Sequence, residues 1–142
     1  MNFRKTAQYG LAAILAFGAP VPGMAQQFTT AAEVRPMLDA TKAGWVAVRE
    51  YDGKDLLYFT NLLVWRCGLD AIHYSVNGGA ERLWDGERCY EGDAVPNAQK
   101  DSSKLPFVSF PLGSVETVAV RITYDDGGSD TASYARRDIL TQ

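Results

Sequence analysis

The chain has one histidine, two cysteines and no apolar run long enough to cross a bilayer without interruption. Each scarcity removes a class of function. One histidine and two cysteines are too few for a Cys/His zinc site, and no cofactor or metal is implied. The cysteines, Cys67 and Cys89, lack the two-residue spacing of a redox pair. No G-x-S-x-G elbow occurs, so the strained nucleophile turn of many hydrolases is missing and no catalytic residue stands out. Basic clusters are scarce too. In the body of the chain there is none beyond Arg136-Arg137, and acidic residues outnumber basic ones by 17 to 14. Such a surface repels phosphate backbones, which argues against nucleic acid or an anionic membrane as partner.

What is present begins with an address. Arg4 and Lys5 precede the apolar "GLAAILAFGA" (Gly10 to Ala19), then "PVPG", then the small residues Gly23 and Ala25. That order predicts a secretory signal peptide over residues 1–25, cleaved before Gln26. A spanning helix needs about 20 consecutive apolar residues, and Pro20 and Pro22 interrupt this run. The expected product is one domain over residues 26–142, periplasmic or secreted, with no membrane insertion after cleavage. In an oxidising compartment Cys67 and Cys89 are expected to form one disulfide, contributing about 3 kcal/mol by loop-closure entropy.

Hydrophobic periodicity divides the rest. Thr30 with Glu33 three residues later has capping-box spacing, and Val34, Met37 and Leu38 recur at helical intervals. This predicts one short helix near residues 30–41, with Pro36 tolerated early in it. From there the period shifts toward two. Seven strands are expected: Trp45–Tyr51, Leu56–Cys67, Ala71–Asn77, Ala80–Trp84, Leu105–Phe110, Val115–Tyr124 and Ser129–Arg136. The second is apolar on both faces and reads as a central strand; a single buried helix is the competing reading, against which the β-branched and aromatic content and the flanking turns weigh. Asp52-Gly53, Asn77-Gly78-Gly79 and the run Asp125 to Gly128 are hairpin turns. The expected fold is mainly β, a two-sheet antiparallel sandwich with one short N-terminal helix and one disulfide.

The lone histidine lies in "AIHYSVNGG", where Ile72, Tyr74 and Val76 alternate with Ala71, His73 and Ser75. Alternation puts His73 on the polar face with Ser75, too far along the strand for a nucleophile–base pair by itself. It reads as a surface residue. The polar, aperiodic stretch Cys89–Lys104 is the longest loop, anchored by the expected disulfide. Tyr90, Glu91, Asp93 and Asn97 on it are the candidate partner-binding residues. Their spacing does not fit an EF-hand.

The segments "IHYSVNGG" and "VAVRITYDDGGSDTASY" resemble hairpins of immunoglobulin-like and fibronectin-like domains of bacterial exported proteins. The stretch "WVAVREYDGKDLLYFTNLLVWRCGL" resembles small exported bacterial proteins of unassigned function. The antibody-domain pattern of two widely spaced cysteines around a tryptophan is absent, a departure from immunoglobulin topology. Three functions fit these features. The first is a non-catalytic exported module that binds a protein or glycan of the cell envelope. The second is an inhibitor of a secreted hydrolase, presenting Cys89–Lys104 as a stiff loop. The third is a carboxylate-based hydrolase drawing on Glu81, Asp85, Glu87, Glu91 and Asp93.

Overall fold

The computed structural model describes residues 26–142 together with Ile14, Ala16 and Gly18. The expected leader, residues 1–25, otherwise lies outside the described residues. Helix α1 (Ala31–Ala40) starts at the capping box expected of it. The Glu33 amide donates to the Thr30 hydroxyl at 3.3 Å, and the Glu33 carboxylate accepts from the Thr30 amide at 3.2 Å. Ala31, Val34 and Leu38 are buried, whereas Met37 is partly exposed. Pro36 lies past the first turn, a correction to its expected early place. Its missing N–H leaves the Ala32 carbonyl without its usual partner, but both residues are exposed and water can serve.

A 3-10 turn (Lys42–Gly44) leads into β1 (Ala47–Tyr51), and an Asp52-Gly53 turn returns the chain as β2 (Lys54–Tyr58). Asp52 and Gly53 both have positive φ, 51° and 71°, the conformation that a two-residue hairpin demands and that Gly adopts without strain. The strand expected over Leu56–Cys67 is not formed beyond Tyr58. Instead the chain enters α2 (Thr60–Leu63) and a second 3-10 turn, Arg66–Gly68. Phe59, Leu62 and Leu63 have helical spacing, and all three are fully buried. The apolar content that reads as a two-faced strand is one face of a turn and a half of helix.

The remaining strands are β3 (Leu69–Val76), β4 (Arg82–Leu83), β5 (Phe107–Pro111), β6 (Thr117–Tyr124) and β7 (Ser129–Ala135). A short α3 (Arg136–Ile139) and β8 (Leu140–Thr141) end the chain. Two expectations are corrected here: Ala80–Trp84 shortens to the two residues of β4, and β8 was not foreseen. One sheet has the order β5-β2-β1-β8, the other β4-β3-β6-β7. All pairs are antiparallel except β1 with β8.

The two sheets and α1 enclose one apolar core, so the architecture is mainly β and sandwich-like. Val48 and Leu57 enter it from the first sheet. From the second come Ile72, Tyr74, Val118, Val120, Ile122 and Tyr124, and from α1 Val34 and Leu38. Strand β6 alternates as its sequence predicts, with Val118, Val120, Ile122 and Tyr124 inward. Gly68 is where α1 meets the second 3-10 turn: a Cβ there would fall 2.5 Å from Val34 Cγ2 and 2.8 Å from the Thr30 carbonyl oxygen. Cys67 and Cys89 are joined, with their Cα atoms 5.0 Å apart. Among the described residues no helix is long and apolar enough to cross a membrane.

Candidate functional site

The loop after Cys89 is a braced structure. Arg66 and Glu87, each 6% exposed, are the charges that hold it. The Arg66 guanidinium donates to the carbonyls of Arg88 (2.8 Å), Leu63 (3.0 Å), Asn97 (2.7 Å) and Ala98 (2.8 Å). Glu87 Oε1 accepts from the Tyr90 hydroxyl at 2.6 Å and from the amides of Lys100 and Asp101 at 2.6 and 2.8 Å. Burial pushes the Glu87 carboxyl up, but these hydrogen bonds together outweigh it and hold the group below its usual value. A buried charge persists only when its hydrogen-bonding capacity is met, and here the loop backbone meets it.

Tyr90, Glu91, Asp93 and Asn97 sit differently in this brace. Tyr90 is half-buried, its hydroxyl spent on Glu87 and its ring beside the Arg88 guanidinium at 4.2 Å. Asn97 accepts from the Cys67 amide at 2.9 Å and donates to the carbonyls of Gln27 and Phe28 at 3.3 and 3.0 Å, tying the N-terminal segment to the loop. Asp93 pairs with Lys100 at 2.5 Å. Glu91 is exposed and makes no hydrogen bond or ion pair among the described residues. The four therefore do not converge on one point; two of them hold the loop together.

His73 lies on the outer face of the second sheet, as alternation predicts, opposite Leu83 on one side and Arg121 on the other. It is half-buried, and its Nδ1 has no hydrogen-bond partner among the described residues. Arg121 pairs with Glu81 instead. The row holds no nucleophile with its base.

A surface that sequence reasoning passed over lies on the outer face of the first sheet. The registers β1–β2 and β2–β5 align three cross-strand rows there: Ala47–Tyr58–Phe107, Arg49–Leu56–Ser109 and Tyr51–Lys54–Pro111. Residues opposite one another share a face, so these nine side chains form one platform. The Tyr58 and Phe107 rings meet at 5.1 Å between centroids with a 50° tilt. The Arg49 guanidinium stands 5.0 Å above the Tyr51 ring. Tyr51 is 58% exposed, while Leu56 in the middle row is 6% exposed yet lies outside the main core. A shallow hollow of about 250 Å³ opens at one end, lined by Ala47, Arg49, Tyr58, Thr60, Asn61 and Thr141. Its lining combines the Tyr58 ring, the Thr60 hydroxyl and the Arg49 guanidinium with Asn61 and Thr141, whose side chains donate to the Gly44 and Val48 carbonyls.

The platform is held stiff from below. Asp55, fully buried on the opposite side of β2, accepts from Arg136 Nη1 at 2.5 Å and Nη2 at 3.1 Å. It also accepts from the amides of Gly113 and Val115, both at 3.0 Å. The Arg136 guanidinium above all, with the two amides, pulls the Asp55 carboxyl down to about 2 against the cost of burial. Compared with known protein families, characterised proteins and solved structures, the chain matches none.

Proposed function

We propose that the protein is an exported, non-catalytic module that binds a glycan of the cell envelope through the outer face of its first sheet. The observation that carries this reading is the Tyr51, Tyr58 and Phe107 platform with Arg49 and the hydroxyl-lined hollow beside it. Flat aromatic faces suit the apolar C–H faces of sugar rings, and Tyr combines a rigid apolar body with a polar tip at low entropy cost. Hydroxyl, amide and guanidinium groups at the rim supply the hydrogen bonds that sugar hydroxyls need. A disulfide-stabilised domain behind the expected leader suits an extracytoplasmic site.

Within this reading the fold is immunoglobulin-like. The orders β5-β2-β1 and β4-β3-β6-β7 correspond to strands E-B-A and C′-C-F-G of that topology, which supports the resemblance of the hairpins. The disulfide departs from the B–F position, joining the turn after β2 to the loop after β4. Fold alone implies no activity, so the surface must carry the claim.

A second reading, an inhibitor of a secreted hydrolase, has its own support. The Cys89–Lys104 loop is stiffened by the bridge and by two buried charges, and Val95 stands 62% exposed on it. The test is co-sedimentation with insoluble cell-wall polysaccharide, comparing the wild type with Tyr51→Ala and Val95→Asp. Glycan binding predicts that wild type and Val95→Asp pellet while Tyr51→Ala stays in solution. Wild-type protein that stays in solution at every polysaccharide loading sinks it.

A further inference from the structure

The four outer strands of the two sheets are not equally protected. Edge strands expose unpaired backbone groups and are usually blunted by shortness, proline, charge or bulges. Strands β4 and β8 have two residues each. Strand β5 ends in Pro111 and follows Pro106. Strand β7 is neither short, proline-bearing nor bulged, and its one charge, Asp130, is half-buried on the inner face, where it accepts from the Tyr124 hydroxyl at 2.7 Å. It runs seven residues, Ser129–Ala135, in unbroken register with β6, and its outward side chains are Ser129, Thr131, Ser133 and Ala135.

The direction of its backbone groups follows from the ladder. The Tyr124 amide donates to the Gly128 carbonyl at 2.8 Å and the Arg136 amide to the Glu116 carbonyl at 2.7 Å, which bracket the β6–β7 pairing. In an antiparallel pair alternate residues bond to the neighbour, so Asp130, Ala132 and Tyr134 bond toward β6. The amides and carbonyls of Ser129, Thr131, Ser133 and Ala135 face the free edge.

We propose that β7 pairs with β7 of a second copy of this chain, antiparallel about a two-fold axis at Ala132, joining two four-stranded sheets into one. The strand is self-complementary in this register. Thr131 meets Ser133 of the second copy and Ser129 meets Ala135, giving about eight backbone hydrogen bonds with small side chains that do not collide. On the inner face Ala132 meets Ala132, with Cα atoms about 4.5 Å apart as in any non-hydrogen-bonded pair. Asp130 meets Tyr134 of the second copy rather than another carboxylate. The Tyr134 hydroxyl holds the Lys42 carbonyl, and Lys42 Nζ lies 3.9 Å from Asp130 of its own chain. An isologous contact of this kind closes on itself and does not propagate into fibres.

Sedimentation velocity over a dilution series of the purified protein tests this. The expected result is a doubled mass at high concentration that dissociates on dilution. Thr131→Pro removes an edge amide without touching the β6 ladder and should leave a single-chain mass throughout, with an unchanged circular dichroism spectrum. Ala132→Cys should form a covalent dimer under mild oxidation, whereas Ser75→Cys, on the outer face of β3, should not; this pair decides the matter if Thr131→Pro does not fold. A wild type of single-chain mass at every concentration overturns the proposal. So does a dimer that Thr131→Pro leaves intact, or an Ala132→Cys protein that does not cross-link.

Discussion

Replacing Asp55 by Asn removes one negative charge and almost no volume, and it probes the fold at its most constrained point. Asp55 is fully buried and accepts four hydrogen bonds, two from Arg136 and one each from the Gly113 and Val115 amides. An amide can present only one accepting oxygen, so its NH₂ group must face donors that it cannot satisfy. Arg136 would keep one carboxylate, Glu50, at 2.6 Å and exposed, and the Val115 carbonyl at 2.7 Å. Breaking one side of a buried ion pair costs about 3–5 kcal/mol, and Asp55→Asn should fall in that range in urea unfolding at neutral pH. The carboxyl is lowered from 3.8 to about 2 in the folded state. A depressed folded value stabilises the protein above the unfolded value, and that contribution is lost as pH falls toward the folded one. The wild type should therefore lose about 2 kcal/mol between about pH 5 and about pH 2 through this group, and its advantage over Asp55→Asn should shrink over the same interval. A loss below about 1 kcal/mol at neutral pH, or a difference constant with pH, would refute the claim that this pair locks β2 to the end of β7.

Three other outcomes are expected. Reducing the Cys67–Cys89 bridge should cost about 3 kcal/mol, read as a lower urea midpoint with and without reductant, and peptide mass spectrometry of unreduced protein should show the link. Gly68→Ala should destabilise by about 1–3 kcal/mol in the same assay, because the added methyl group meets Val34 and the Thr30 backbone. Deleting Asp93–Ser102 should unfold the protein rather than merely disarm a loop. It strips Arg66 of two carbonyl acceptors and Glu87 of two amide donors, leaving buried charges unsatisfied; a native circular dichroism spectrum and unchanged midpoint would contradict this.

The parts of this fold that are legible in the sequence are those that local physics decides. The Thr30–Glu33 box, the Asp52-Gly53 turn and the β6 alternation each depend on neighbours a few residues away. The segment Leu56–Cys67 departs from its expected strand because Phe59, Leu62 and Leu63 have helical spacing inside a run whose aromatic and β-branched content favours a strand. The Asp55–Arg136 lock joins residues 81 apart, and no local pattern announces it. The same holds for Arg66, which looks like an ordinary surface charge until the carbonyls of residues 97 and 98 close around it. The aromatic platform was hidden for a related reason. Tyr51, Tyr58 and Phe107 come from three strands, and only the register shows that they share a face. The polarity of the loop that carries Tyr90 and Asn97 reflects in part its service to two buried charges, Arg66 and Glu87.

Glycan binding by the first sheet is tested most directly by a map of amide chemical-shift changes as a soluble fragment of envelope glycan is titrated into the protein. Binding on the outer face of the first sheet should move the amide signals of Ala47–Tyr51, Lys54–Tyr58 and the non-proline residues of Phe107–Pro111, and Tyr58→Ala should weaken it by about thirty-fold, the equivalent of about 2 kcal/mol. Changes confined to residues 89–104, or none at saturating glycan, would contradict it.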